Sequence, residues 1–203
     1  MKSKIKLLMV TGIIAVIGVA TVTTNAQISK PNFSPIAEYE NKIKKSKNGL
    51  LSYKAENKKK LNNLNAVVAP EQEVFVTITF NKPLNKAQVV KLVDDYNLKI
   101  RYSIARVKGE NGLRGTMISN VSTENSLINE ETTNLSMKQN NSEFKGFIEI
   151  VGTIPNKNLQ ALASENFVFL VDPSADTHLV SNPKKRHIPG VFWQLEDNNL
   201  VTE

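Results

Sequence analysis

Two stretches of this chain follow one plan, and that repetition constrains the fold more than any other feature. Glu73–Val107 reads strand, helix, strand, and so does Phe144–Asp176. In the first, Val74, Val76, Ile78 and Phe80 share one face, with Phe75, Thr77 and Thr79 on the other. Period two with β-branched content predicts a strand. Asn81-Lys82-Pro83 ends it, and Asn85 is placed to cap a helix whose apolar stripe is Val89, Leu92, Val93 and Tyr96. Asn97 suits a left-handed C-cap. Leu98, Ile100, Tyr102 and Ile104 then alternate again.

The second stretch repeats this. Gly146, Ile148 and Ile150 face one way, and Phe147, Glu149 and Val151 the other. Leu159, Leu162 and Ala163 stripe a short helix, and Phe167–Val171 is a continuous apolar run, as in a well-covered strand. Asp172-Pro173 stops it, because proline cannot donate to the ladder. Strand-helix-strand twice over is the split βαβ, or ferredoxin-like, pattern. The expected fold class is α+β: a four-stranded antiparallel sheet with two helices on one face and right-handed crossovers. A flexible N-terminal leader and a C-terminal tail flank it.

Residues 1–26 read as a signal peptide. Lys2, Lys4 and Lys6 precede an apolar run, Leu7–Val22, and small residues lead up to Ala26. The run is short against the roughly 20 residues that span a bilayer. The expected location is therefore secreted or extracytoplasmic, with a membrane anchor as the outcome if the peptide is not cleaved. The chain has no cysteine, so neither disulfides nor thiol chemistry is available.

Residues 27–70 read as a Lys/Asn-rich flexible leader. Removing the three signal-peptide lysines takes the formal charge from +7 to +4, and the lysine-rich span 38–65 carries more than the remainder. The rest of the chain is near neutral. Ile36, Tyr39, Ile43, Leu50 and Tyr53 have helical spacing, but Gly49 and the asparagines argue for a transient helix only. Lys42, Lys44, Lys45, Lys58, Lys59 and Lys60 are the candidates for contact with an anionic wall polymer or membrane surface. No nucleic acid is expected, since no basic-aromatic interleaving supports base stacking.

The folded domain is expected over 71–180, interrupted by a polar loop at 109–143 in which Met117-Ile118 and Leu127-Ile128 are the only apolar pairs. Residues 181–203 form the tail. It holds the basic run Asn182–His187 and the only tryptophan, Trp193. Trp193 is a candidate partner anchor; the competing reading folds Val191, Phe192 and Leu195 back onto the uncovered sheet face.

No catalytic constellation, metal site or cofactor motif stands out. His178 and His187 lie nine positions apart in loop-like sequence, Asp94-Asp95 and Glu130-Glu131 lack a partner carboxylate, and the nucleotide-binding and hydrolase signatures are missing. A non-enzymatic protein is expected.

One resemblance can be stated on residues. Leu159-Gln160-Ala161-Leu162-Ala163, the turn Ser164–Asn166, and Val168-Phe169-Leu170-Val171-Asp172 resemble the last helix and strand of the propeptide/inhibitor domain of subtilisin-type serine proteases. The first half fits the same layout. The resemblance implies a ferredoxin-like fold and a subtilisin-like protease as partner. It also implies that Pro173–Val180 enters the substrate cleft, with Thr177, Leu179 and Val180 as pocket-fillers. With no protease domain in the sequence, it implies a stand-alone inhibitor or folding chaperone.

Overall fold

A computed structural model describes residues 46–121, 127–181 and 190–202. The expected signal peptide, Lys42, Lys44, Lys45 and the whole basic run Asn182–His187 lie outside the described residues. The fold is α+β, built on an open antiparallel sheet.

The first element overturns the flexible-leader expectation from Lys47 onward. Helix α1 (Lys47–Val67) is 21 residues long, and the Ser46 side chain caps it by accepting the Gly49 N–H at 3.2 Å. Gly49 thus sits in the first turn, where its helix penalty matters least. Leu50, Tyr53, Asn57, Leu61 and Leu64 form one buried seam at spacings of three and four. Asn57 is tolerated in that seam because its Nδ2 donates to the Tyr53 carbonyl at 3.0 Å.

Strand β1 (Glu73–Leu84) follows, then α2 (Lys86–Tyr96) and β2 (Lys99–Gly109). Asn85 and Gln88 make a reciprocal capping box, and Asn97 closes the helix in the left-handed region at φ 50°. The polar loop is largely structured. A 3₁₀ turn, Glu110–Gly112, leads into β3 (Arg114–Asn120), and α3 (Glu130–Gln139) precedes the long β4 (Ser142–Pro155). Helix α4 (Leu159–Ala163), β5 (Val168–Asp172) and α5 (Phe192–Asp197) complete the order.

Among the described residues the sheet has five strands, not four, in the order β3-β2-β4-β1-β5, with every neighbouring pair antiparallel. The extra strand is β3, hairpinned onto β2 with Val107 opposite Gly115. A Cβ on Gly115 would lie 2.7 Å from a Val107 methyl, so the hairpin closes tightly there.

Each face of the sheet is covered. One carries α2, α4 and the C-terminal half of α1, through Val89, Leu92, Leu159, Leu162, Leu61 and Leu64. The other carries α5 and the start of α1, through Val191, Phe192, Leu195, Leu50 and Tyr53. Helix α1 packs against β5, α4 and α5, so it joins the two cores beside the outermost strand. Among the described residues no helix is long and apolar enough to cross a membrane.

A bulge corrects the predicted faces of β4. Ile104 opposes Glu149 while Ala105 opposes Phe147, so Ile148 has no register partner on β2. Phe147 and Ile150 consequently share one core, and Ile148 and Val151 the other.

Candidate functional site: a basic cleft beside a clasped C-terminal helix

The bulge aims Glu149, on the central strand, at the face that α5 covers. Its carboxylate is buried, at 4% exposure. Oε1 accepts the Val191 N–H at 2.7 Å, the Phe192 N–H at 3.1 Å and the Thr79 hydroxyl at 3.1 Å. Gly190 leaves room for this approach: a Cβ there would sit 2.8 Å from Glu149 Oε2. Burial pushes the Glu149 pKa up to about 7, while the Phe192 and Val191 amides, the Thr79 hydroxyl and the Arg106 charge pull it back.

Arg106 holds the other side of α5. Its Nε and terminal nitrogen donate to the two Glu196 oxygens at 2.9 and 2.6 Å, and it also reaches the Gly115 carbonyl at 2.8 Å. Burial lowers the Arg106 pKa, and the Glu196 carboxylate opposes that shift. Arg114 donates to Glu196 at 3.0 Å and to Asp197 at 2.7 Å.

Trp193 belongs to this cluster. Its indole N–H donates to Thr116 Oγ1 at 2.9 Å, and the Arg106 and Arg114 guanidinium carbons lie 4.2 and 4.8 Å from its ring. At 39% exposure it keeps part of its surface in solvent. Val191, Phe192 and Leu195 are buried beneath it, on the sheet face.

Beside the clasp lies an open cleft of about 500 Å³, lined by Lys82, Pro83, Arg106, Lys108, Gly112, Arg114, Lys145, Glu196 and Thr202. Among the described residues, five cations and one carboxylate, Glu196, line it. Next to Lys145, Gly146 at φ +129° brings β4 against β1, and a Cβ would meet the Leu84 carbonyl at 2.7 Å. Sequence reading missed this site. Arg106 and Lys108 continue the Tyr102–Ile104 alternation with charge, which was the available signal.

The residues selected from sequence are scattered by comparison. Lys58 and Lys59 are exposed on α1. Lys60 instead donates to Ser174 Oγ at 2.7 Å, in the turn after β5. Tyr53 fastens α1 nearby through a hydrogen bond to the buried Asp172 carboxylate. Pro173–Val180 is folded into turns rather than extended. Asp176 organises it, accepting the Phe75 N–H at 2.6 Å and the His178 N–H and ring nitrogen at 2.8 and 2.6 Å. Thr177 and Leu179 point to solvent, and the Val180 N–H donates to the Asp176 carbonyl at 2.9 Å. His178 is therefore tied to Asp176, and its other ring nitrogen lies 2.8 Å from Gln72 Nε2; His187 lies outside the described residues. Among the described residues no group of three His, Cys, Asp or Glu side chains is placed to hold a metal ion. No family model, curated protein or solved structure matches the chain.

Proposed function

We propose that the chain is an exported, non-enzymatic protein-binding module of ferredoxin-like plan, acting as a stand-alone inhibitor or folding chaperone of a subtilisin-like protease. The observation that carries this reading is the strand order. Setting β3 aside, β2-β4-β1-β5 is the spatial order of a split βαβ fold. The two crossover helices, α2 and α4, also bury into the same core. β3 is then an added edge hairpin.

In the family it resembles, the bare sheet face meets the protease. Here α5 and the start of α1 occupy that face. The contact we propose is therefore the turn segment Pro173–Val180, which Asp176 holds against the start of β1. A preformed loop loses less conformational entropy on binding than an extended tail. Thr177 and Leu179 are the side chains it presents.

The test is inhibition of a subtilisin by the chain Gln27–Glu203, with the double variant Thr177→Gly, Leu179→Gly alongside. Slowed turnover with an intact chain, weakened in the variant, supports the reading. Unslowed turnover at large molar excess of the chain removes it.

A further inference from the structure

We propose that the cleft between α5, the β2–β3 hairpin and the β1–β4 junction is a binding site for a phosphate-type oxyanion carrying two or more charges. This site is separate from the protein contact above and rests on different residues.

Its charge comes from four elements that the topology brings to one end of the sheet. Lys82 is at the end of β1, Arg106 and Lys108 are on β2, Arg114 opens β3, and Lys145 is near the start of β4. Arg106 is fixed in place, 3% exposed and forked onto Glu196. Lys108, Arg114 and Lys145 are exposed. Lys108 makes no ion pair among the described residues, and Lys145 reaches only Glu143 on its own strand, at 2.5 Å. Arg114 shares Glu196 with Arg106. Arg114 also reaches Asp197 at 2.7 Å, so two carboxylates serve the two guanidinium groups and the positive excess of the lining rests on lysines such as Lys108.

Walls of low dielectric around like charges concentrate the field in such a cleft and draw in an anion of opposite sign. Exposed pairs such as Lys145–Glu143 contribute little and exchange readily for a ligand oxygen. A phosphate group suits the lining because several terminal oxygens can each accept a charge-assisted hydrogen bond from a different side chain. A single carboxylate offers two oxygens and one charge. Thr202 adds a hydroxyl at the rim.

The experiment is calorimetric titration of inorganic tripolyphosphate into the chain Gln27–Glu203, which retains every described element. The expected result is binding at about 50 mM salt that weakens several-fold on raising the salt. Lys108→Ala with Lys145→Ala, both exposed and outside the clasp, should lower the affinity about tenfold. Lys58→Ala with Lys59→Ala, on α1, should leave it unchanged. A parallel arm uses phosphatidic acid vesicles, whose phosphomonoester headgroup can carry two charges. Capture that the cleft variant abolishes assigns the phosphate to a lipid headgroup, and its absence assigns it to a free or polymeric phosphate. The proposal is overturned if tripolyphosphate and vesicles both fail to bind. It is equally overturned if binding is indifferent to the cleft pair or falls as much with the α1 pair.

Discussion

The most informative perturbation is Glu149→Gln. The carboxylate is sealed between β1, β4 and α5, and its neighbours are the Thr79 hydroxyl, the Val191 and Phe192 amides and the Arg106 guanidinium. Its pKa rises from 4.5 to about 7, chiefly through burial. The folded chain therefore holds a proton that the unfolded chain releases near 4.5. Between those values the native state binds more protons, so stability falls as pH rises through the window and levels off above it. At about 1.4 kcal/mol per pH unit, the raised value corresponds to a loss on the order of 3 kcal/mol between pH 4.5 and 7. Glutamine keeps an oxygen for the two amides and has no proton to lose. The variant should lack this component, so the difference in urea-unfolding free energy between Glu149→Gln and the parent should climb by about 3 kcal/mol from pH 5 to pH 8. Taking the difference removes every contribution that the two chains share. Trp193, the only tryptophan, sits on α5 and reports its release by fluorescence. A flat difference curve would refute the reasoning: the two amides and Arg106 would then offset burial fully.

Further consequences follow from single contacts. Phe192→Ala empties a fully buried site in the α5 core and should cost about 3–5 kcal/mol, measured by denaturant unfolding. Tyr53→Phe withdraws the hydroxyl donated to buried Asp172 and should cost about 1–3 kcal/mol, loosening α1 before the sheet in hydrogen exchange. Gly146→Ala forces a side chain at φ +129° against the Leu84 carbonyl and should cost more than about 1 kcal/mol, read as a lowered Tm. Asp176→Ala frees the Phe75 and His178 amides, so Pro173–Val180 should be nicked faster in limited proteolysis while the sheet stays protected.

What the sequence made legible was whatever its local chemistry decides. Asn85 and Asn97 bound α2 because capping depends on a few adjacent residues. The alternation of β1 survived because both of its faces are apolar enough to bury. The faces of β4 did not, since one bulged residue swaps every side chain beyond it to the other side, and bulges leave little trace in composition. Helix α1 was hidden for another reason. Its seam is interrupted by Asn57 and surrounded by lysines, so the stretch resembles solvated chain until the sheet edge and the Asp172 acceptor are in place.

The charge distribution shows why the cleft was invisible as well. Outside the signal peptide and the lysine-rich span the formal charge is near zero, which reads as the absence of an electrostatic site. A sum over residues carries no information about position. Lys82, Arg106, Lys108, Arg114 and Lys145 are spread across more than sixty positions, and all but Lys82 are flanked by apolar residues or glycine in sequence. They meet because β1 and β2 run parallel on either side of β4, so the ends of the first two lie beside the start of the third. Glu196, on α5, meets Arg106 from ninety positions further along the chain. Both the cleft and the clasp are thus products of long-range strand order. A variant that weakens the clasp, such as Arg106→Met, should disturb tripolyphosphate binding as well as stability, whereas Lys108→Ala should affect binding alone. Titration and unfolding of that pair would separate the two roles; equal behaviour in both assays would mean that the cations act through the fold and not on a ligand.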